Sequence, residues 1–288
     1  MRTTRLRLCV PVALLVCGIS APLRAEGQAT RLRVAAYNIK HGRGMDDQVD
    51  LARIAAVLER LDADVITLQE VDDRTERTGR VDQVRVLAEM IGYEGFHGPH
   101  RPYQGGFYGN AVLTRLPVRA QRTHAIPPAS GSALAVHEVV VDVPPSSADG
   151  DPIRVSVVSV HLAGSPDERM AQAESVTRTF EGADHPVVLA GDFNGRPDDT
   201  VVRRLAKAWT VGAKEGDSGT YPAPRPDREI DFVMWREEAS ERARATLTLI
   251  EHVVLDEPLA SDHRPLLAVF EVGRDPTRER SPLVEGNR

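Results

Sequence analysis

Cysteine is almost absent from this chain of 288 residues, which has only Cys9 and Cys17. Both lie within the first 25 residues, a segment that differs in composition from the rest. If that segment is removed, no cysteine remains, which excludes a disulfide framework, a thiol nucleophile and a cysteine-ligated structural zinc site. Stability must then come from an apolar core, for which about 260 residues are ample.

Long apolar runs are also missing. The run Leu8–Ile19 is shorter than the roughly 20 residues of a spanning helix. Three arginines (residues 2, 5 and 7) precede it, and the small-residue sequence "PLRAEG" follows. This order is typical of a secretory signal peptide, with cleavage predicted after Ala25. The sequence therefore predicts export to the periplasm or the cell exterior.

Two other interpretations of this segment are a membrane anchor and a lipid anchor. The shortness of the apolar run argues against the first. Lipoprotein processing at Cys17 is the second, and it is disfavoured because Val16 is larger than the small residue normally found at that position.

Basic residues are fewer than acidic ones, and aromatic residues are few. The chain has 36 basic and 42 acidic residues, and loss of the four arginines in residues 1–25 leaves 32 against 42, a balance of −10. Aromatic residues make up 5%. This composition argues against a dedicated nucleic-acid binder, which needs a basic, stacking surface, but it leaves room for a local basic groove.

Apolar residues at helical spacing predict three amphipathic helices, over 50–61, over 84–91 and after "SPDE" at 165–168. A fourth, short helix is predicted near 199–207. The first helix has Asp50 as its N-cap, and the third has a capping box formed by Ser165 and Glu168.

Short apolar or alternating runs between these helices predict strands, and the segments rich in proline and glycine predict loops. The strands are predicted near 31–39, 64–70, 107–114, 133–142, 153–162, 186–191, 230–235, 246–254 and 265–272. The resulting organisation is a signal peptide 1–25, a linker 26–30, one α/β domain 31–272 and a loose polar tail 273–288.

Polar residues stand at the ends of six of these strands. In "PVVLAGDFNGRP", for example, Asp192 and Asn194 follow a buried strand and share one face, because side chains alternate along a strand. A single such position usually belongs to a turn or cap. Six of them indicate a site, since α/β proteins build sites at strand ends. The residues are Asn38, Glu70, His161, Asp192 with Asn194, Asp231, and Asp262 with His263.

These residue types suit metal-assisted chemistry on a phosphoryl group. Glu70 and Asp262 are hard oxygen ligands, which suit Mg²⁺, with Mn²⁺ or Ca²⁺ as alternatives. A carboxylate behind an imidazole, as Asp231 could be behind His263, fixes the tautomer of the ring and raises its basicity. A second histidine, His161, and an asparagine could donate hydrogen bonds to phosphoryl oxygens.

Seven motifs, taken in order, resemble the endonuclease/exonuclease/phosphatase superfamily, which has the DNase I-like fold. They are "YNIKHGRGMD", "DVITLQEVD", "GGFYGNAVLTR", "VSVHL", "LAGDFNGRP", "REIDFV" and "SDHRPLLAVF". The resemblance covers nearly the whole predicted mature chain. It implies a four-layer α/β sandwich of two mixed, mainly antiparallel β-sheets flanked by helices, with the site at one edge of the sheets.

The resemblance also implies which residues bind the metal and the substrate. Glu70 would be the main metal ligand, with Asn38 and Asp262 on the metal or its waters. Asn110, in "GGFYGNAVLTR", and Arg43, in "NIKHGRG", would contact the substrate.

Five further residues would carry the reaction in this comparison. Asp192 would position and deprotonate the attacking water, and Asn194 would hold the phosphate. His263, oriented by Asp231, and His161 would stabilise the charged phosphorane and assist the leaving group, without a covalent intermediate.

The sequence departs from the superfamily's pattern at two places. Glu229 stands immediately before the Ile-Asp pair, where a basic residue is frequent, and "ASGSALAV" lacks a Glu-x-Arg element that many relatives carry before the strand near 133. Both departures bear on substrate contacts more than on the metal chemistry.

The sequence therefore predicts an exported, divalent-metal-dependent phosphoesterase that acts by in-line attack of an activated water. A secreted nuclease for DNA or RNA is one alternative, and a non-catalytic binding module on the same scaffold is another. The expected partner is a phosphoester, either a small molecule, a lipid or a nucleic acid. The chain is expected to be a monomer without a stable protein partner.

Overall fold

The computed structural model describes residues 30–145, 150–237 and 245–274. The predicted signal peptide, linker residues 26–29 and tail residues 275–288 lie outside the described residues. In the described ranges, no helix has the length and apolar character needed to cross a membrane.

The described residues form four α-helices and twelve β-strands. The helices are α1 (Leu51–Leu61), α2 (Gln83–Ile91), α3 (Pro166–Thr179) and α4 (Thr200–Leu205). The strands are β1 (Thr30–Asn38), β2 (Val65–Asp73), β3 (Glu94–Tyr103), β4 (Gly106–Thr114), β5 (Val118–Ala129), β6 (Ser132–Val143), β7 (Ile153–His161), β8 (Val187–Asp192), β9 (Thr210–Val211), β10 (Asp231–Arg236), β11 (Ala245–Val254) and β12 (Leu266–Arg274).

The strands form two sheets of six, in the orders β11-β12-β1-β2-β4-β3 and β5-β6-β7-β8-β10-β9. Each sheet is antiparallel except for one central pair, β1 with β2 and β7 with β8. Helices α1 and α3 make the crossovers that parallel neighbours require. As a result, the carboxyl ends of β1 and β2 share one edge of their sheet, and those of β7 and β8 share one edge of the other.

Three apolar clusters hold the layers together. One lies between the sheets and includes Val34, Val139 and Phe270. A second joins the first sheet to α1 and α2, and a third joins the other sheet to α3 and α4. The predicted four-layer α/β sandwich is confirmed.

Local sequence signals account for the helix starts. The Asp50 side chain accepts a hydrogen bond from the Arg53 amide at 3.0 Å, as an N-cap does. At α3 both bonds of the predicted capping box are present between Ser165 and Glu168. These caps satisfy backbone donors that a helix leaves without partners.

Two strands lie where loops are predicted from proline and glycine. They are β3, with prolines at 99 and 102, and β5, with prolines at 127 and 128. Both are edge strands, where a residue without an amide proton is tolerated. In addition, β12 continues to Arg274, so residues 273 and 274 belong to a strand and not to the predicted tail.

Candidate active site

Side-chain alternation brings polar residues from both sheets onto their facing surfaces. On β1, Val34 packs between the sheets and Asn38 follows on the same face. On β8, Ala190 packs between the sheets and Asp192 follows on the same face. The same parity applies to His161 at the end of β7 and to Asp231 at the start of β10.

Glu70 reaches this site by a different route. Alternation would turn it toward the helices, because Ile66 and Leu68 of the same strand pack there. The pairing of β2 with β4 shifts register between Leu68 and Val71, and Glu70 has a left-handed φ of +59°. This bulge re-aims the side chain, so that Glu70 Oε1 accepts a hydrogen bond from Asn38 Nδ2 at 3.1 Å.

Asn38 links carboxylates that come from the two sheets. Its fully buried Nδ2 also donates to Asp192 Oδ2 at 3.1 Å, while its Oδ1 accepts from the Lys40 amide. The Ser261 hydroxyl donates to the Asn38 carbonyl at 2.7 Å. In this arrangement Asn38 orients Glu70 and Asp192, and its predicted place around the metal stays a prediction.

His263 and Asp231 form a buried pair across 32 residues of sequence. The two oxygens of Asp231 lie 2.9 and 3.2 Å from His263 Nδ1. Burial disfavours the imidazolium, but the carboxylates of Asp231 and Asp192 outweigh it and raise the pKa of His263 to about 10. The ring therefore carries a positive charge at neutral pH.

Asp192 lies between two imidazoles. His161 Nε2 and His263 Nε2 are each 3.7 Å from its Oδ2, and the Asn194 amide donates to its Oδ1 at 2.8 Å. Burial raises the pKa of this carboxyl above its ordinary value, although the charge of His263 acts in the opposite direction. A carboxylate of raised pKa is better suited to accept a proton than an exposed one.

Two positions near the site fit a cation. The ligand atoms of Asp192, Asp231 and His263 lie within 4.8 Å of one another, a geometry that could hold a metal ion. However, His263 Nδ1 already pairs with Asp231, and a metal at this position would have to displace the proton that the two carboxylates stabilise on the ring. The second position is at Glu70, whose half-buried carboxylate is turned inward by the bulge and offers only oxygen, as a hard divalent cation prefers.

Comparison with known proteins identifies the family. The family model described as "Endonuclease/Exonuclease/phosphatase family" matches residues 35–263, more than half of the chain. The chain belongs to the endonuclease/exonuclease/phosphatase family. An uncharacterized protein of Escherichia coli strain K12, YbhP, is 26% identical over 181 residues, which are 59% of this chain and 69% of that protein.

Solved structures show the same fold. An endonuclease/exonuclease/phosphatase from Beutenbergia cavernae is 24% identical with a TM-score of 0.66, over 85% of this chain and 72% of that one. Danio rerio TDP2 complexed with single strand DNA product is 19% identical with a TM-score of 0.59, over 83% and 98% of the two chains. At these identities the likeness establishes the fold alone.

The structure also shows the surroundings of the four remaining predicted site residues. Asp262 Oδ2 forms a 2.8 Å ion pair with Lys40 Nζ, so the positive group next to this carboxylate in the structure is a lysine side chain. Asn194 Nδ2 donates to the Leu162 carbonyl at 2.8 Å. The remaining two, Asn110 and Arg43, have no contact with the central group of carboxylates and histidines.

Asn110 is fully buried between the sheets, where its Nδ2 donates to the Ser159 carbonyl at 3.0 Å and its Oδ1 has no hydrogen-bond partner in the part of the chain that the structure describes. Arg43 is exposed and pairs with Asp47 at 3.0 Å. For both residues, contact with the substrate stays a prediction.

Several residues around the site were not predicted from the sequence. Lys40 contacts Asp262, Ser261 contacts Asn38, and the Tyr221 ring packs 4.9 Å from the His263 ring. Lys40 and Ser261 lie within the motifs "YNIKHGRGMD" and "SDHRPLLAVF", which was the available signal. Tyr221 has no such signal, because its contact depends on a turn that brings residues 42 positions apart together.

Glu229, which departs from the family's pattern, has a buried partner. Lys214 Nζ is fully buried, 2.5 Å from Glu229 Oε1 and 4.4 Å from the centre of the Phe232 ring. Burial lowers the pKa of Lys214 below its ordinary value, and the charges of Glu229 and Asp231 offset part of this shift. A positive charge near Asp231 therefore comes from the segment after β9 and not from the residue before Ile230.

The charge state of His263 can be tested directly. We expect its imidazole to titrate near pH 10, because two carboxylates stabilise the proton. Since the pKa in the folded protein exceeds the unfolded value of 6.5, the contribution of this charge to the free energy of unfolding is full below pH 6.5 and is lost as the pH rises through about 10. Long-range ¹H–¹⁵N NMR of the histidine rings measures the titration. A midpoint near 6.5 in the folded wild type would contradict the assigned charge.

Proposed function

We propose that the protein is an exported, divalent-metal-dependent phosphoesterase that hydrolyses a phosphodiester or phosphomonoester by in-line attack of water. The observation that carries this proposal is the set of contacts joining Glu70, Asn38, Asp192, His263 and Asp231 across the facing edges of the sheets. Membership of a family of phosphoesterases and nucleases supports the reaction class.

In this proposal Asp192 accepts the proton of the attacking water. Because burial raises the pKa of the Asp192 carboxyl, this carboxylate accepts a proton more readily than a solvent-exposed one. Asn38 and the backbone amide of Asn194 each hold one carboxylate oxygen, so the side chain has a defined orientation. A fixed orientation removes part of the entropic cost of placing the water in line with the phosphorus.

The two histidines stabilise the negative charge that develops on the phosphoryl oxygens. His263 is already protonated and is held by Asp231, so no reorganisation is needed as the charge develops. His161 Nε2 lies 3.7 Å from Asp192 Oδ2, and its buried Nδ1 has no hydrogen-bond partner among the described residues. Either ring can donate a hydrogen bond to the phosphorane or to the leaving oxygen.

The proposed metal position is at Glu70, which Asn38 contacts, and Asp262 is proposed as a further ligand. A bound divalent cation supplies positive charge to the phosphoryl oxygens and lowers the pKa of a bound water. Mg²⁺ is proposed, with Mn²⁺ or Ca²⁺ as alternatives, because the side chains at this position offer oxygen. The group of Asp192, Asp231 and His263 is the competing position.

A hydrolysis panel tests the reaction class. Purified protein lacking residues 1–25 would be assayed with Mg²⁺, with Mn²⁺ and with EDTA. The substrates would be plasmid DNA, RNA, bis-p-nitrophenyl phosphate, p-nitrophenyl phosphate and sphingomyelin. We expect metal-dependent release from at least one ester. Failure to hydrolyse any of them, in folded protein with metal, would favour the binding-module alternative, although all eight predicted polar positions of the site are retained.

A nuclease is the second candidate function. It is supported by the single strand DNA product in the Danio rerio TDP2 structure, which has the same fold. The acidic composition of the chain argues in the opposite direction. In the panel, faster cleavage of DNA or RNA than of the aryl esters would favour this candidate.

Export forms a separate part of the proposal. Because residues 1–25 have the basic, apolar and small-residue order of a signal peptide, we expect the mature chain to begin at or near Glu26. Mass spectrometry of the protein from its native host tests this, and an intact Met1 form in the cytoplasm would contradict it. We propose that the mature protein acts as a monomer.

A further inference from the structure

A cluster of two arginines and two tyrosines lies where β3 ends and β4 begins. We call Arg77, Arg101, Tyr103 and Tyr108 the arginine–tyrosine cluster. The Arg77 guanidinium lies 4.7 Å from the centre of the Tyr103 ring and 5.6 Å from that of Tyr108. The Arg101 guanidinium lies 4.8 Å from the centre of the Tyr108 ring and 5.9 Å from that of Tyr103.

This cluster adjoins the candidate active site. Tyr108 pairs with Asp72 of β2, two positions after Glu70, and it has the same parity on β4 as Asn110, which faces the other sheet. Burial and the charge of Glu70 raise the pKa of the Tyr108 phenol, to which Asp192 also contributes. The phenol is therefore a neutral hydrogen-bond donor near the proposed metal ligand.

The two arginines of the cluster differ in their partners. Arg77 makes a bidentate pair with the fully buried Asp72, at 2.7 and 2.8 Å, which neutralises its charge and fixes its position. Arg101 forms no ion pair with any described carboxylate, and its guanidinium packs on the rings of Tyr103 and Tyr108. Although the chain has more acidic than basic residues, Arg101 therefore places a positive charge beside the site, where it can bind an anion.

A buried histidine, His100, precedes Arg101 in β3. His100 is 8% exposed, its ring is 5.9 Å from that of Tyr108, and among the described residues only the Ala135 backbone offers its ring nitrogens a hydrogen bond. Burial lowers the pKa of His100 to about 3, so the ring is neutral. Because unpaired buried polar groups are costly, His100 marks a place where a bound molecule can complete the hydrogen bonding.

From these observations we infer that Arg101, with Tyr108 and His100, binds a second phosphoryl group of the substrate, beside the phosphate that is hydrolysed. The fork of a guanidinium matches phosphate oxygens, the phenol and the neutral imidazole can donate to them, and Arg77 holds the tyrosines in place. The substrate class is a phosphoester with a neighbouring phosphate, such as a nucleotide unit that carries phosphates at both its 3′ and 5′ positions. This inference rests on the proposed function, whose site it extends.

Binding measurements test the inference without depending on turnover. Isothermal titration calorimetry would compare thymidine 3′,5′-bisphosphate with thymidine 3′-phosphate and thymidine 5′-phosphate, each in the presence of EDTA, which prevents the proposed metal-dependent hydrolysis of the ligands. We expect the wild type to bind the bisphosphate about tenfold more tightly than either monophosphate, an increment of about 1.4 kcal/mol. Arg101→Gln should remove most of that preference, and Arg101→Lys should keep part of it, because it retains the charge but not the fork.

A matched control is Arg31→Gln. Arg31 is exposed near the start of β1, at the opposite edge of the sheet from the site, and its substitution should leave the preference for the bisphosphate unchanged. Circular dichroism would confirm that the variants fold, and Arg101→Lys serves as the test if Arg101→Gln does not.

Equal affinities of the wild type for the three ligands would overturn the inference, as would an unchanged preference in folded Arg101→Gln. Hydrolysis of bis-p-nitrophenyl phosphate by the wild type reports separately on the proposed function. Activity on that ester without any preference for the bisphosphate would reject the second phosphate site alone.

Discussion

Asp231→Asn should lower kcat/KM on a phosphodiester by roughly 10⁴-fold, the loss seen when a carboxylate that orients a catalytic histidine becomes an amide. In the structure, both oxygens of Asp231 face His263 Nδ1, and the carboxylate is one of the two charges that raise the pKa of that ring. The amide keeps the shape of the side chain but removes the negative charge. His263 would then lose both its orientation and part of its affinity for the proton.

The loss should not add to that of His263→Ala. If the two residues act as a unit, the double variant should be about as slow as the slower single variant, because a unit cannot be removed twice. The measurement is kcat/KM for both single variants and the double variant on one phosphodiester. Asp227→Asn is the control, since it makes the same change at an exposed carboxylate. Additive losses in folded variants would show that the two residues act independently.

Glu70→Gln should reduce activity by at least about a hundredfold, since even the partners of metal ligands contribute 10- to 100-fold. The substitution retains the size of the side chain and its place in the bulge but removes the charge that would hold the cation. EDTA should abolish wild-type activity, and Mg²⁺ or Mn²⁺ should restore it. Full activity of the wild type in EDTA would refute the metal dependence.

Metal binding itself separates the two positions that fit a cation. Titration of Mn²⁺ by calorimetry should show weakened binding in Glu70→Gln and retained binding in His263→Ala, because the proposed metal position is at Glu70 and a metal at His263 would first have to displace the proton of that ring. Glu59→Gln, at an exposed position on α1, is the matched control. The opposite pattern would place the metal at Asp192, Asp231 and His263, which also form a geometrically suitable group.

Much of the scaffold is determined by local sequence. The central strands are apolar runs bounded by turn residues, and the helices have one apolar face and side-chain caps such as Asp50 and Ser165. These signals act within a few residues, so they can be read without the fold. The motifs at the strand ends likewise predicted that Asn38, His161 and Asp192 belong to one site, because α/β proteins build sites at strand ends.

Edge strands could not be predicted in the same way. The prolines and glycines of β3 and β5 read as loop signals, and only their place at the sheet edges makes them compatible with strands. That place depends on which strands are neighbours in the sheet, and contacts between distant segments of the chain set the order.

By itself, the sequence determined the layers of this protein, its family resemblance and the residue types of its site. Only the tertiary structure decided how those residues meet. The bulge that turns Glu70 toward Asn38 depends on its pairing with β4, and the buried Lys214 beside Glu229 joins residues from separate segments. That Arg77 pairs with Asp72, while Arg101 pairs with no described carboxylate, is likewise visible only in the fold. Each of these is a contact between side chains from different segments, which no local pattern in the sequence encodes.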